Sequence, residues 1–405
     1  MPTSAQDGQP SLGATVFGLP AAPDAIELRH LRAFAAVAEE LNFSRAAARL
    51  FITQPALSRT VRSLERLVGC DLLRRSTRHV ELTLAGDALL ARVQSLTADL
   101  DDAVAAARAV GDGQAERLTR LWEGFSDVTN SVGEVADIRA EVERLNEQFP
   151  PPPDVAITAT NAGGVPCLVA TPPETTGSPI LFFHGGGYVA GSAFGYRHLA
   201  AALALASRRP VVIPEYRLAP EHPYPAALED ALRAYLSFVD AGTASATISV
   251  AGGSAGAGLT MSLLLALREG QHPLPGSALL MCPWVDLSGV TQRQPEDTPI
   301  VVSTAVTQRF AELYLAGHPI DDPLLNPLEA DLRGLPTILV QAATGDSLAP
   351  EAHLLVERGR AADVEISLEL YPVPTHDFHV FWNFLPEAAD AVRRGGEFLN
   401  APLRA

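Results

Sequence analysis

Ser254 stands at the centre of Gly252-Gly253-Ser254-Ala255-Gly256, and His184-Gly185-Gly186-Gly187 lies 70 residues upstream. The first spacing sets a serine hydroxyl on a sharp turn from strand to helix. The second is a loop flexible enough to aim backbone N–H groups at an oxyanion, together with the amide of Ala255. A free hydroxyl is a poor nucleophile and needs a base to take its proton and return it to the leaving group. His376 is placed for that task, and Asp346 for holding the imidazole in the right tautomer. A lone Gly-x-Ser-x-Gly is weak, but the glycine loop, Ser, Asp and His in this order point together to acyl transfer.

Elements able to position these groups follow from the apolar runs. Ile180–Phe183, Val211–Ile213, Ile248–Ala251, Ala278–Met281, Ile338–Ala342 and Ile366–Tyr371 are short, separated by helical patterns, and predict a mostly parallel sheet. The glycine loop, Ser254, Asp346 and His376 each fall just past the carboxyl end of one of these strands, where such sheets gather reactive groups. His379 is expected to be a packing residue and His184 a shaper of its loop. Arg217, Glu221 and Asp230 are expected in structural ion pairs, and Phe378, Phe381, Trp382 and Phe384 in the core. Pro150–Pro153 end a helical stretch over Ile138–Phe149 and form a stiff elbow into the catalytic domain.

The first hundred residues have a different character. Leu28, Leu31, Phe34, Ala38 and Leu41 recur at helical spacing, and Ser44 is expected to cap a short second helix, Arg45–Leu50. Ile52 and Thr53 break the chain, and Pro55 fits the first turn of a third helix. There Leu57, Val61, Leu64 and Val68 turn inward while Gln54, Ser58, Arg59, Arg62 and Arg66 are left outside. Two short helices at a sharp turn, the second showing polar and basic groups near its start, suit a DNA major groove. Leu72–Arg75 and Val80–Thr83 read as a hairpin wing with its tip at Ser76–His79. Candidate DNA contacts are Thr53, Gln54, Pro55, Ser58, Arg59 and Arg62 on the helix, and Arg75, Thr77 and Arg78 at the wing. A helix from Leu84 to Val110 then carries Leu89, Val93, Leu96, Leu100, Ala103, Ala107 and Val110 as a seam for pairing across a dimer.

Glu27–Phe34, Asn42–Ala47, Thr53–Arg59 and Leu82–Gly86 resemble the winged helix-turn-helix of LysR-type transcriptional regulators over residues 26–110. The resemblance implies a homodimer, or a higher homo-oligomer, joined through the long helix and bound to an inverted-repeat operator. After Gly113 it stops: the two-lobed effector domain of that family does not follow.

The rest, from about Val135, resembles the hormone-sensitive-lipase branch of α/β-hydrolases. The resemblance is carried by His184–Tyr188, Tyr216–Pro223, Pro225–Asp230, Gly253–Gly256 and Pro283–Leu287. It implies a carboxylesterase without metal or organic cofactor, with Ser254 as nucleophile, Asp346 as acid and His376 as base. The N–H groups of Gly186, Gly187 and Ala255 would receive the oxyanion, under a cap built from the helices before Pro150 and from Thr298–Leu315. The chain departs from that pattern at four places. Gly253 replaces an acid before the nucleophile and Gly258 an asparagine. Asp377 replaces a small residue after the histidine, and Pro350 stands at a usually acidic position. The Asp377 carboxylate is therefore expected to raise the pKa of His376 or to compete for its hydrogen bond.

The expected layout is a leader over residues 1–25, the winged helix-turn-helix over 26–83 and the linker helix over 84–113. An α/β-hydrolase follows over 114–405, with cap elements near 114–150 and 289–316. Met1–Ala25, rich in Pro, Ala, Gly and Ser and free of basic residues, lacks a secretory signal's charged start and is expected to be disordered. Net charge is −17, yet residues 29–80 hold ten arginines against four acids, a balance of +6, so the remainder carries −23. A body so acidic repels polyanions and confines any nucleic-acid contact to the head. No apolar run approaches the roughly 18 residues that span a bilayer, so no membrane partner is expected. Cys70, Cys167 and Cys282 have no zinc or redox spacing, which suits a reduced, cytoplasmic setting. The leading expectation is a fused regulator whose hydrolase body binds, and cleaves, a small ester or lactone. Two others remain open: a non-catalytic receptor in a hydrolase shell, and an esterase whose head serves only dimerisation.

Overall fold

The computed structural model describes residues 26–50, 52–75, 80–94, 96–97, 114–130, 134–292 and 302–401. The chain divides into two compact units, Met1–Val104 and Ala105–Ala405. The expected leader over residues 1–25 lies outside the described residues.

In the first unit, helices α1 (Leu28–Glu40), α2 (Phe43–Arg49) and α3 (Gln54–Val68) pack around Phe34, Val37, Ala46, Leu57, Val61 and Leu64. Two expectations are corrected. Leu41 is not in the buried stripe: it ends α1 with φ +47° and is half exposed, and Val37 takes the buried place. The α2 cap is Asn42, not Ser44; its Oδ1 accepts from the N–H groups of Ser44 and Arg45, closing two open donors with one oxygen. Thr53 precedes α3, and Pro55 sits in its first turn. Strands β1 (Leu73–Arg75) and β2 (Val80–Leu82) pair antiparallel as the wing. Glu65 of α3 accepts from the N–H groups of Leu72 and Leu73, each at 3.2 Å, which ties the wing to the third helix. Helix α4 covers residues 84–94. Of the expected seam, Val93 is buried, Leu89 half-buried and Leu96 exposed; Leu100, Ala103, Ala107 and Val110 lie outside the described residues.

The second unit begins with α5 (Gln114–Asn130) and α6 (Val135–Glu147), followed by β3 (Ala156–Ala162), β4 (Val165–Thr171) and β5 (Ile180–Phe183). Next come α7 (Arg197–Ser207), β6 (Val211–Pro214), α8 (Ala226–Asp240), β7 (Ser249–Gly253), α9 (Ala255–Glu269) and β8 (Ser277–Met281). The chain closes with α10 (Thr304–Leu315), β9 (Thr337–Ala343), α11 (Ala349–Ala361), β10 (Ile366–Tyr371) and α12 (Pro386–Asn400). The sheet has eight strands in the order β10-β9-β8-β7-β5-β6-β4-β3, parallel from β6 to β10 and antiparallel at β4 and β3. Strands β5 and β7 are wholly buried because helices cover both faces. One face meets α8, α9 and α11 through Leu228, Leu259, Leu263 and Leu355; the other meets α7 and α12 through Leu199, Leu203, Ala388 and Val392.

All six expected strands are present, shifted at their ends by no more than two residues. The β3–β4 hairpin was not anticipated. Its outer strand reads Ala-Ile-Thr-Ala-Thr-Asn-Ala and lies largely in solvent, so it lacks the apolar run that marks the inner strands. No helix among the described residues is long and apolar enough to cross a membrane.

Candidate active site

The turn between β7 and α9 carries Ser254 at φ +52°, ψ −119°, a conformation a non-glycine residue holds only when its surroundings enforce it. The residues two places to either side of it must lack side chains. A Cβ on Gly252 would come within 2.2 Å of the Gly256 carbonyl, and one on Gly256 within 2.0 Å of the Phe183 carbonyl. The Ser254 N–H donates to Met281 O at 2.9 Å, which pins the turn to the end of β8.

Asp346 follows β9 and His376 follows β10. His376 Nδ1 lies 2.7 Å from Asp346 Oδ2, and His376 Nε2 lies 2.7 Å from Ser254 Oγ. Because the carboxylate can only accept, Nδ1 carries the proton and Nε2 presents its lone pair to the serine hydroxyl. Asp346 Oδ1 also accepts from the Leu348 N–H at 3.1 Å, so both carboxylate oxygens are committed. All three residues are buried, Ser254 the least at 9% exposure. Burial opposes charge on His376, but Asp346, and after it Asp377, outweigh that and hold its pKa above the ordinary imidazole value.

His184 and His379 are poor bases. Burial pushes His184 down to about 4, against its Gly185 backbone bond, and the ring stacks on Tyr216. Burial, then the charge of His376, pushes His379 down to about 3, and it bonds Gln341. Both are packing and shaping residues. Arg217 pairs with Asp230 and Glu229, and Glu221 with Arg139. Phe378 and Phe381 are fully buried in the core.

The glycine loop lines the same cavity as Ser254. Gly186 has φ +113°, and a Cβ there would lie 2.1 Å from the Ala190 carbonyl. Among the described residues, the N–H groups of Gly186, Gly187 and Ala255 donate to no backbone carbonyl outside helix and strand ladders. Ala255 opens α9, where a helix leaves its first amides free.

Asp377 does not compete for the histidine. Its Oδ2 accepts from the Tyr196 hydroxyl at 2.9 Å, and its Oδ1 lies 3.0 Å from where a Cβ on Gly253 would stand. The bare Cα of Gly253 and the carboxylate of Asp377 thus share one buried space. Burial, opposed by the charge of His376, raises the pKa of Asp377. Tyr196 carried no motif and could not be singled out from the sequence.

Cys282, Asp346 and His376 offer ligand atoms within 4.8 Å of one another. The imidazole and carboxylate are already bonded to each other. Burial, then Asp346 and Asp377, push the Cys282 thiol far up, so a neutral thiol lies beside the hydrogen-bonded imidazole and carboxylate.

The cavity, about 60 Å³, is roofed by Trp122 and Phe125 of α5, Val142, Leu145 and Asn146 of α6, and Phe310 of α10. Its sequence signal was only the helical pattern before Pro150; which residues face inward depends on how α5 and α6 pack. The volume admits roughly four or five water-sized groups, which suits a short acyl chain.

Of the expected DNA contacts, Thr53, Gln54, Pro55, Arg59 and Arg62 are exposed on α3, and Ser58 is half-buried. Arg75 ends β1 opposite Val80; Thr77 and Arg78 lie outside the described residues.

Comparison with known proteins agrees with both units. A family model for the α/β-hydrolase fold matches residues 180–380, and one for bacterial regulatory helix-turn-helix proteins of the LysR family matches residues 28–87. An acetyl-hydrolase of Streptomyces hygroscopicus is 36% identical over 273 residues, covering 66% of this chain and 90% of that protein. The chain is a LysR-type helix-turn-helix fused to a hormone-sensitive-lipase-type α/β-hydrolase. A crystal structure of an esterase from the bacterial hormone-sensitive lipase family superposes with TM-score 0.66 at 32% identity, covering 70% of this chain and 97% of that one. An uncharacterised HTH-type regulator, YnfL of Escherichia coli K12, is 52% identical over 112 residues, 28% of this chain and 37% of that protein. The hydrolase unit thus belongs to a family of carboxylesterases and acetyl-hydrolases.

Proposed function

We propose that the hydrolase unit cleaves a small carboxylic ester or lactone through an acyl-enzyme, and that the head binds operator DNA under control of the same ligand. The observation that carries the chemistry is the unbroken chain of hydrogen bonds from Asp346 through His376 to Ser254, at the floor of a cavity. Ser254 Oγ attacks the ester carbonyl carbon as His376 Nε2 takes its proton. The carbonyl oxygen becomes an oxyanion and receives the N–H groups of Gly186, Gly187 and Ala255, each worth about 3–4 kcal/mol of transition-state stabilisation. The imidazolium, stabilised by Asp346, protonates the departing alkoxide. Water then gives its proton to His376 and its oxygen to the acyl carbon, and the carboxylic acid leaves as Ser254 is reprotonated.

For the head, Gln54, Ser58, Arg59 and Arg62 would read the major groove from α3, with Thr53 and Pro55 at its start and the wing residues Arg75, Thr77 and Arg78 at the phosphates. Dimerisation through the long helix expected over 84–113, of which α4 is the described part, would match an inverted-repeat operator. Control by ligand is supported by α5, whose Trp122 and Phe125 line the cavity and which follows that segment directly in the chain.

The test is Ser254→Ala against wild type in two assays: hydrolysis of p-nitrophenyl acetate, and footprinting on the promoter of the adjacent gene. Wild type should hydrolyse the ester and protect the promoter, and S254A should protect it without turnover. A wild type lacking both activities refutes the proposal. Protection without wild-type turnover would leave a receptor, and turnover without protection an esterase.

A further inference from the structure

Gln292 stands between β8 and α10 and is buried, with 6% of its surface exposed. Its Nε2 donates to the Val302 carbonyl at 3.0 Å and to Ser347 Oγ at 3.1 Å. Its Oε1 accepts from the Thr307 hydroxyl at 2.7 Å. The amide cannot be turned over, because an oxygen in the place of Nε2 would face the Val302 carbonyl. Ser347 Oγ donates to that same carbonyl at 2.8 Å, so two donors hold it. One side chain thus ties the start of α10 to the residue next to Asp346. The loop that carries Gln292 is itself pinned. Glu351 Oε2 of α11 accepts from the N–H groups of Val285 and Asp286 at 2.7 and 2.9 Å, and Asp286 accepts from those of Ser288 and Thr291. The amide of Gln292 is bonded through both its oxygen and its nitrogen, and buried networks of this kind rigidify what they join.

What the bridge holds is a wall of the cavity over Ser254. Val302 and Thr307 line that cavity, and so does Phe310, one turn further along α10. A Cβ on Gly187 would fall 2.0 Å from Phe310 Cδ2, so the ring rests on the glycine loop. At the other end of the bridge, Leu348 lines the cavity and its N–H bonds Asp346 Oδ1. Gln292 is not itself one of the lining residues. We infer that Gln292 is a positioning residue that sets acyl-chain length: it locks Val302, Thr307 and Phe310 to the turn of the catalytic acid and so denies the cavity room to lengthen. This rests on the ester-hydrolase reading of the same site. A wall held by apolar packing alone yields to a longer chain by a small shift. Here the shift must also break buried hydrogen bonds, each worth a factor of about 2 to 10 in an equilibrium.

The experiment compares kcat/KM for p-nitrophenyl butyrate and octanoate in wild type, Gln292→Met, Thr307→Val and the double variant. Gln292→Met keeps the reach of the side chain and removes the amide. It strands neither hydroxyl: Ser347 Oγ still donates to the Val302 carbonyl, and Thr307 Oγ1 to the Thr304 carbonyl at 3.0 Å. Wild type should favour butyrate by about tenfold or more. That ratio should fall by about threefold or more in Q292M and shift the same way in T307V. In the double variant it should match Q292M, because the bridge is already gone. The ratio within each variant is the readout, so a general loss of folding or rate does not imitate the result. If Q292M does not fold, T307V alone carries the test. An equal fall for both esters, with the ratio unchanged, makes Gln292 a support of the fold only and overturns the inference. Shifts that add in the double variant overturn the bridge. Turnover of both esters by wild type without preference overturns this inference alone. Failure of wild type to hydrolyse either overturns the esterase reading and this inference with it.

Discussion

Replacing Asp346 by asparagine separates the roles of the two carboxylates buried beside His376. Asp346 Oδ1 accepts from the Leu348 N–H, and Oδ2 from His376 Nδ1–H. In Asp346→Asn the amide oxygen stays on the Leu348 donor, so the amide nitrogen takes the place of Oδ2 and points its hydrogens at Nδ1. The imidazole then carries its proton on Nε2, facing Ser254 Oγ, and the base is blocked. The charge that most favours the imidazolium is lost as well. A wrong tautomer of this kind costs about 10⁴ in kcat, which is about 5 kcal/mol at ~1.4 kcal/mol per tenfold. Binding should change little, so KM should stay within a few-fold. Asp377→Asn should behave differently, because the Asp377 carboxylate bonds Tyr196 and acts on His376 only through its charge. Removing that charge lowers the pKa of His376, so the free base persists to lower pH. The acid limb of kcat/KM should move from above the ordinary imidazole value of ~6.5 to lower pH, with a modest change in plateau rate. The assay is steady-state hydrolysis of p-nitrophenyl acetate across the pH range, with thermal melting to confirm folding. If D346N keeps more than a tenth of wild-type kcat while D377N loses activity by thousands-fold, Asp377 is the orienting acid and the relay argued above is wrong.

Two further outcomes follow from the same geometry. Gly186→Ala places a Cβ 2.1 Å from the Ala190 carbonyl at a φ of +113°, so the loop must move. Loss of an aligned donor should cut kcat by about 10²–10³, and a variant with unaltered kcat would remove Gly186 from the oxyanion site. In the head, Arg59→Ala with Arg62→Ala should lower the slope of log K against log salt by about 2 in fluorescence-anisotropy titrations, if each arginine neutralises one phosphate. An unchanged slope would move these side chains off the DNA.

The parallel strands and the relay were legible in the sequence because both are encoded locally. An all-buried strand must be apolar throughout, as in Ile180–Phe183, and the tight turn at Ser254 admits only glycine at 252 and 256. The remaining features depend on backbone turns and partners that only folding supplies. The outer strand Ala156–Ala162 gains its hydrogen bonds from Val165–Thr171 rather than from an apolar face. Leu41 has the right spacing for the buried stripe but falls where the helix turns left-handed and stops. The capping role falls to Asn42 because the helix begins at Phe43, which puts Ser44 inside its first turn. Asp377 was visible as an oddity, yet its direction was not: only packing reveals that Tyr196 draws it away from the histidine. Trp122 and Val142 look like ordinary helix residues until folding brings them to the cavity that Ser254 lines.

The space shared by positions 253 and 377 also couples the two residues. An aspartate introduced at 253 would push its first side-chain carbon to 3.0 Å from the carboxylate already there, crowding two negative groups beneath the nucleophile. A small residue introduced at 377 alone would strand the Tyr196 hydroxyl and leave a hollow. Each change alone leaves the pocket crowded or a buried donor unpaired.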